Sequence, residues 1–415
     1  MSFDPYEIRN QFPALQRKVN GKTVVYADGP GGTQVSQRVI DAMAGYLRNG
    51  LSNAGGAYAT SKETDDVARS AHEAVADLLN ARRPEEIAFG QNMTSLTYAV
   101  SRAISREWHA GDEIVVTKLD HDGNISPWLQ AAEDRDVILR WLDFHPQDCT
   151  LALEELPALI NDRTRLVAVT YASNAIGSIT DMTKVSEIVH RSDAILYVDA
   201  VHYMPHGVVD VQAVDCDFLA CSAYKFFGPH TGILYGKYEH LMRLPAYQVR
   251  PASKEPPTKW ETGTQSFESL AGVTAAVEYI AALGMPAESG SLRERLVHAL
   301  QATTAYEQTL SQRFLAGAAK VPGLCILGIT DKDQLTKRAP TFSMELEGYS
   351  SRELATFLGE QGIFVADGNY YALAAMERLG FEARGGLVRA GFVHYNTVEE
   401  IDRLLGALDQ LARTK

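Results

Sequence analysis

A lysine set among aromatic side chains, Tyr224-Lys225-Phe226-Phe227, follows the apolar run Phe218 to Cys221, which ends in Ser222. Aromatic neighbours strip water from an ammonium and lower its pKa, the state an amine needs for imine formation. Taken alone, such a lysine is ordinarily an exposed loop residue. Asp199 closes a second apolar run, ILYV. A buried carboxylate there needs a cationic partner, for which a protonated pyridine nitrogen serves; an N-cap in a strand-to-helix turn is the plainer alternative. Two further runs end in polar pairs, VTYA in Ser173-Asn174 and VVTKL in Asp120-His121. EIAFG leads into Gln91-Asn92-Met93-Thr94-Ser95 and a helical pattern, so free backbone N–H groups and a helix dipole are available to a phosphate. Simple capping by Asn92 or Thr94 explains the same residues.

These side chains need a sheet that brings strand ends together. Strand-like runs at 86–90, 113–118, 165–172, 194–200, 217–222 and 232–236 alternate with helix-length segments such as Met93 to Trp108, where Leu96, Val100, Ala103 and Ile104 share one face. That alternation predicts βαβ units and a mainly parallel sheet, whose ligands bind outside the carboxyl ends of the strands. A Pro-rich interruption, RPASKEPPTKW at 250–260, predicts a loop or lid. Beyond it a long helix from Ser291 to Gly317, PTFSMELEG, a helix from Ser351 to Gln361, GIFVADG, LVRAGFVHYN and a last helix after Thr397 predict a smaller α/β domain.

With 415 residues, 46% of them hydrophobic and 22% charged, the chain has the composition of a globular protein of more than one domain. A formal charge of −13, from 39 basic and 52 acidic residues and with no Lys/Arg-rich run, argues against nucleic acid as a partner. The polar amino terminus and the short apolar runs give no sign of a leader or a membrane span. Four cysteines, Cys149, Cys216, Cys221 and Cys325, have neither metal-ligand spacing nor the density of a disulfide scaffold, and suggest a reducing, cytoplasmic setting.

Eight ordered blocks carry a resemblance that covers nearly the whole chain: TVVYADGPGG at 23–32, FGQNMTS at 89–95, LDHDGNISPW at 119–128, SNAIG at 173–177, VDAVHYMPH at 198–206, SAYKFFGPHTGILYG at 222–236, ETGTQ at 261–265 and VRAGFVHYNTVEEID at 388–402. Together they resemble the class V aminotransferase group of fold-type I pyridoxal 5′-phosphate (PLP) enzymes, especially its cysteine desulfurase-like branch. The resemblance implies an α/β fold: a large domain at 21–285 built on a mainly parallel seven-stranded sheet flanked by helices, a small α/β domain at 286–415, and an amino-terminal segment, 1–20, that joins the small domain. It implies PLP as cofactor, with Lys225 as its Schiff-base lysine and Asp199 on the pyridine nitrogen. His121 would stack on the ring and Asn174 would contact the phenolic oxygen. Thr94, Ser222 and the amide of Met93 would hold the phosphate, joined by Thr264 from a partner subunit in a homodimer. Arg389 would take the α-carboxylate of an amino-acid substrate, a role for which a guanidinium fork is suited; a surface salt bridge is its plainer alternative.

Three positions depart from the desulfurase pattern. His202, near the phenolic oxygen, stands where the family has Gln, and Tyr224, which can still donate to phosphate, stands where it has His. Most consequentially, desulfurases that form a persulfide need a mobile-loop thiol, whereas the segment 365–388 holds no cysteine. The implied activity is therefore a C–S lyase reaction, β-elimination on cysteine or a cysteine S-conjugate, rather than persulfide formation. Transamination, epimerisation and decarboxylation-coupled deamination begin from the same adduct, and a non-catalytic scaffold in sulfur transfer is the alternative outside enzymology. The loop from Asn53 to Tyr58, with Gly55 and Gly56, either widens the substrate mouth or is an ordinary turn. Tyr371, with Tyr370, lines the pocket beside Arg389 or packs the small domain.

Overall fold

A computed structural model describes residues 3–284 and 290–414. Seven strands form the central sheet: β1 (Ile87–Gly90), β2 (Glu113–Thr117), β3 (Ile138–Leu142), β4 (Thr164–Thr170), β5 (Ile195–Asp199), β6 (Phe218–Ser222) and β7 (Gly232–Gly236). Their order is β1-β7-β6-β5-β4-β2-β3. All neighbouring pairs are parallel except the two made by β7, which runs antiparallel to β1 and β6.

The inner strands are apolar on both faces because helices cover both, as parallel sheets require. In β4, Val167 and Val169 join a core with Val75 of α2 (Ala59–Leu79), Val185 of α5 (Met182–Val189) and Val273 of α6 (Phe267–Ala281). Leu166 and Ala168 face the other way, onto Val100 of α3 (Met93–Ile104) and Trp128 of α4 (Ser126–Glu133). The edge strand β3 is the one strand of this sheet with no counterpart among the strand-like apolar runs of the sequence. Its alternating exposure, with Ile138 exposed and Leu142 buried, is that of a strand covered on one side only.

Register places the carboxyl ends side by side: Thr170 pairs with Asp199, Asp199 with Ala220, and Ser222 with Gly232 at the start of β7. Gly232 is confined by its neighbours, since a Cβ there would lie 2.3 Å from the Asn92 carbonyl carbon.

The carboxyl-terminal sheet comprises β8 (Leu324–Ile326), β9 (Thr341–Leu346), β10 (Ala366–Gly368) and β11 (Leu387–Gly391), in the order β8-β9-β11-β10 and antiparallel throughout. It packs on α7 (Leu292–Ala318), α8 (Ser351–Glu360) and α9 (Val398–Ala412) around Phe314, Phe342, Leu358 and Leu404. Arg9, in the segment 1–20, forms an ion pair of 2.8 Å with Glu400, whereas Val25–Tyr26, from the stretch expected in the large domain, also pairs with the carboxyl-terminal unit, in parallel with Ile363–Phe364. Val25 and Ala27 belong to the same apolar cluster. The boundary expected between 285 and 286 lies outside the described residues. The Pro-rich 250–260 segment forms turns, tethered by the Trp260 indole, which donates to the Leu241 carbonyl at 2.9 Å. Among the described residues, no helix is long and apolar enough to cross a membrane.

Phe314 is fully buried against Phe342 at a centroid distance of 4.5 Å. Phe314→Ala should therefore cost about 3–5 kcal/mol of unfolding free energy, measured by urea denaturation; a loss below about 1 kcal/mol would show that the carboxyl-terminal core is not organised around this ring.

Candidate active site

A cavity of about 900 Å³ opens at the carboxyl edge of the central sheet, between it and the carboxyl-terminal unit. This is where parallel sheets bind ligands, and the volume lies in the range of cofactor and substrate pockets. Its floor comes from strand ends. Asp199 ends β5 and is buried, with Oδ1 accepting from the Val201 amide at 2.8 Å. Burial pushes its carboxyl up to about 6, against the opposing pull of that amide and of Lys225.

Lys225 sits on the turn after β6, where Nζ donates to the Pro30 carbonyl and lies 4.9 Å from the Tyr224 ring centroid. Desolvation, reinforced by the Arg389 charge, brings its ammonium down to about 7, while Asp28 and Asp199 act in the opposite direction. A large share of this amine is therefore neutral near neutral pH and able to attack a carbonyl.

At one end of the cavity, β1 leads through Asn92 into α3. Asn92 caps the helix, its Oδ1 accepting from the Ser95 amide at 2.9 Å, and the Met93 amide donates to Ser222 Oγ at 3.1 Å. Met93, Thr94 and Ser222 thus face the cavity beside a helix amino terminus, a setting suited to a phosphate. Tyr224 lines the same wall and stacks on His230 at 4.9 Å.

His121 lies on the turn after β2. The Gly123 amide donates to its Nδ1 at 2.8 Å, which leaves the ring proton on Nε2. Burial and then the charges of Lys225 and Arg389 push its pKa down to about 4, so the imidazole is neutral. A Cβ at residue 123 would meet both His121 Nδ1 and Thr94 Oγ1 at 2.9 Å, so glycine keeps this turn against the helix end.

The opposite wall belongs to the carboxyl-terminal unit. Arg389, on β11, is buried; Nη1 donates to the Asn174 carbonyl at 2.9 Å, Nη2 lies 3.5 Å from Asp28 Oδ1, and the guanidinium covers the Tyr370 ring at 4.4 Å. Asn174 Nδ2 donates to the Tyr370 carbonyl at 2.9 Å. Arg389 Nε and Asn174 Oδ1 are buried without a protein partner, so each has bonding capacity left for a bound molecule. His202 Nε2 meets Thr341 Oγ1 at 3.0 Å, and burial holds its pKa well below the usual imidazole range.

Tyr371 closes the outer side, stacked on His121 at 5.5 Å although 73% exposed, and Tyr370 and Tyr371 both take left-handed φ values, 56° and 57°. Non-glycine residues pay for that conformation in strain of order 1–3 kcal/mol each, which the surrounding contacts must offset. The Asp122 amide donates to the Tyr371 carbonyl at 2.6 Å and holds the strap down.

Three sequence-derived positions stand apart. Asn53, Tyr58 and Thr264 are exposed and do not line the cavity of the single chain. The two glycines of the 53–58 loop therefore do not shape this mouth from within one subunit. Conversely, Asp28, which ends the run VVYA, lines the cavity together with Asp122, Asn369 and Glu382, none of them among the sequence-derived site residues. Asp28 obeys the same rule of a polar residue ending an apolar run; the others sit in short helical turns or connections without such a signal. No cysteine lines the cavity: Cys149, Cys216 and Cys221 are buried elsewhere and Cys325 is exposed on β8. Burial drives the Cys149 thiol up to about 11 and the thiols of Cys216 and Cys221 higher still.

The amine's shifted pKa has a measurable consequence. Between pH 7 and its ordinary value of 10.5, Lys225 binds fewer protons folded than unfolded, so its unfavourable contribution is full below pH 7 and disappears towards pH 10.5. Apoenzyme carrying Lys225→Met should therefore exceed the wild-type chain in stability by on the order of 3 kcal/mol at pH 6.5, with the gap closing by pH 10. Denaturant titrations at both pH values measure it, and a pH-independent gap would contradict the buried-amine assignment.

The donor set fits PLP: an amine for its aldehyde, a carboxylate for its ring nitrogen, a helix end for its phosphate and a flat neutral imidazole at the same cavity. Comparison with known proteins agrees. Residues 25–404 match the family model described as Aminotransferase class-V. A cysteine desulfurase of Synechococcus elongatus is 32% identical over 99% of this chain and 64% of its own length. A cysteine desulfurase of Salmonella choleraesuis is 31% identical over 100% of this chain and 99% of its own. The crystal structure of the Escherichia coli cysteine desulfurase CsdA superposes with a TM-score of 0.85 at 25% identity, covering both chains fully. With fold, cavity chemistry and sequence in agreement, the chain belongs to the class-V aminotransferase family, cysteine desulfurase-like, of PLP-dependent enzymes that act on amino acids.

Proposed function

We propose that this enzyme is a C–S lyase that eliminates a thiol from cysteine or a cysteine S-conjugate. The observation that carries the reading is a complete amine, carboxylate, imidazole and guanidinium set in a cavity with no thiol. Bound PLP supplies an electron sink for the charge that develops as the substrate loses its Cα proton.

The side chains take the remaining tasks. Arg389 receives the α-carboxylate, replacing the weak 3.5 Å contact with Asp28 by a charge-assisted pair. Lys225, whose amine would hold the cofactor, is in its neutral form the base that would take the Cα proton of the substrate. Asp199 would keep the ring nitrogen protonated, an ionic pairing that would offset the burial of its carboxyl. His121 would lie against the ring, and Asn174 and His202 would serve the phenolic oxygen. Met93, Thr94, Ser222 and Tyr224 would hold the phosphate. With water consumed, the balance is cysteine conjugate to thiol, pyruvate and ammonia.

A homodimer completes this reading. Ile40 and Leu47 of α1 (Gln37–Asn49), with Leu51 and Tyr58 beyond it, form an exposed apolar stretch next to the Asn53–Tyr58 loop. A second copy would cover these side chains and bring Thr264 and the loop towards its partner's cavity, with Asn53 and Tyr58 at the substrate mouth.

Persulfide formation is the second reading, supported by the names of the relatives, and the products separate the two. Holoenzyme incubated with L-cysteine and with S-alkyl cysteines should release pyruvate and sulfide or thiol; alanine as the product of L-cysteine would establish desulfuration, and a keto acid from L-alanine would establish transamination. Arg389→Lys, which keeps the charge and removes the fork, should raise KM for the substrate about 10- to 100-fold, and an unchanged KM would remove Arg389 from carboxylate binding.

A further inference from the structure

Directly beneath the proposed site lies a second carboxyl, that of Asp120, fully buried and with no cationic partner among the described residues. Three donors converge on it. Asn124 Nδ2 donates to Oδ1 at 2.7 Å, the Thr170 amide donates to Oδ2 at 3.2 Å, and the Thr117 hydroxyl also reaches Oδ2. They come from three different places: the end of β2, the His121 turn and the end of β4.

Each link leads to a residue of the site. Asn124 belongs to the turn whose amide bonds to the His121 carbonyl at 2.8 Å, within which Gly123 holds the His121 ring. Thr170 is in register with Asp199, and the next amide, Tyr171, donates to the Asp199 carbonyl at 2.8 Å.

We propose that Asp120 is a positioning residue for the reaction: its carboxyl clamps the turn that presents His121 onto the strand pair that presents Asp199. The inference rests on the roles given above to His121 and Asp199, and not on which reaction follows.

The donor geometry leaves little freedom for another group. Asn124 cannot reverse its amide, because its Oδ1 accepts from the Trp128 indole at 3.2 Å and an indole N–H only donates. The Thr170 amide is likewise only a donor. Both carboxyl oxygens must therefore accept, and a proton on the group has one acceptor to face, the Thr117 hydroxyl, which itself accepts from the Leu119 amide at 3.1 Å. Burial raises this carboxyl to about 8, with the Asp199 charge adding to the rise, so the clamp holds in either protonation state. In Asp120→Asn the side-chain NH₂ confronts either the Asn124 amide or the Thr170 N–H, whichever way it is turned. One edge of the clamp must open.

The test compares wild-type and Asp120→Asn proteins reconstituted to full cofactor occupancy. The readouts are the circular dichroism of the visible cofactor band per bound cofactor, the cofactor dissociation constant, the melting temperature of the apoenzyme, and kcat and KM separately. The expected result is loss of at least about half of the induced dichroism, with kcat down about 10- to 100-fold and KM changed less than about threefold, the scale of a sub-ångström misalignment of reacting groups. A lower melting temperature with dichroism, dissociation constant and kcat unchanged would make Asp120 a structural residue only and overturn the proposal. If Asp120→Asn does not fold, Thr117→Val removes one donor at nearly constant volume and is judged by the same criteria. Failure of the wild-type enzyme to release pyruvate would sink the lyase reading and leave the dichroism test intact.

Discussion

Two opposite charges share one cavity here, yet each is driven towards its neutral form. Asp199 ends β5 and Lys225 sits on the turn after the neighbouring β6; both are desolvated, but Lys225 Nζ donates to the Pro30 carbonyl, and no ion pair joins it to Asp199. Desolvation thus outweighs their mutual attraction. Much of the remaining architecture maintains that arrangement. The parallel register aligns the strand ends, helices seal both faces of the sheet, and the carboxyl-terminal unit supplies the buried Arg389 that further disfavours the charged amine. A cofactor with an aldehyde, a basic ring nitrogen and a phosphate answers all three local demands at once, which is why membership of a PLP-dependent family and the electrostatics of the cavity agree.

The carboxyl-terminal unit is held to the sheet by contacts that also define the site. Arg389 bonds to the Asn174 carbonyl, Asn174 to the Tyr370 carbonyl, and Asp122 to the Tyr371 carbonyl. The backbone strain at Tyr370 and Tyr371 is located where these contacts converge, in the segment 365–388 that carries no cysteine. This strap offers ring stacking on His121 in place of a nucleophile.

Most of the sheet was legible because its strands are short apolar runs ended by polar residues, and the same pattern exposed Lys225, Asp199, Asn174 and His121. The edge strand Ile138–Leu142 was not, since Arg140 interrupts its apolar run. Asp28, which ends the run VVYA, carries the same strand-end signal. Asp122, Asn369 and Glu382 line the cavity from short turns and connections, where spacing says nothing about direction. Asn53, Tyr58 and Thr264 lie outside the cavity of one subunit, and their proposed contribution depends on a second copy, which no periodicity in one chain can encode.

The central claim is that Lys225 is the amine that holds the cofactor. Borohydride reduction of the PLP-loaded enzyme, followed by peptide mass spectrometry, tests it directly. The account predicts a single reduced cofactor adduct on the peptide containing Lys225; an adduct on another lysine, such as the buried Lys259, with Lys225 unmodified, would contradict it.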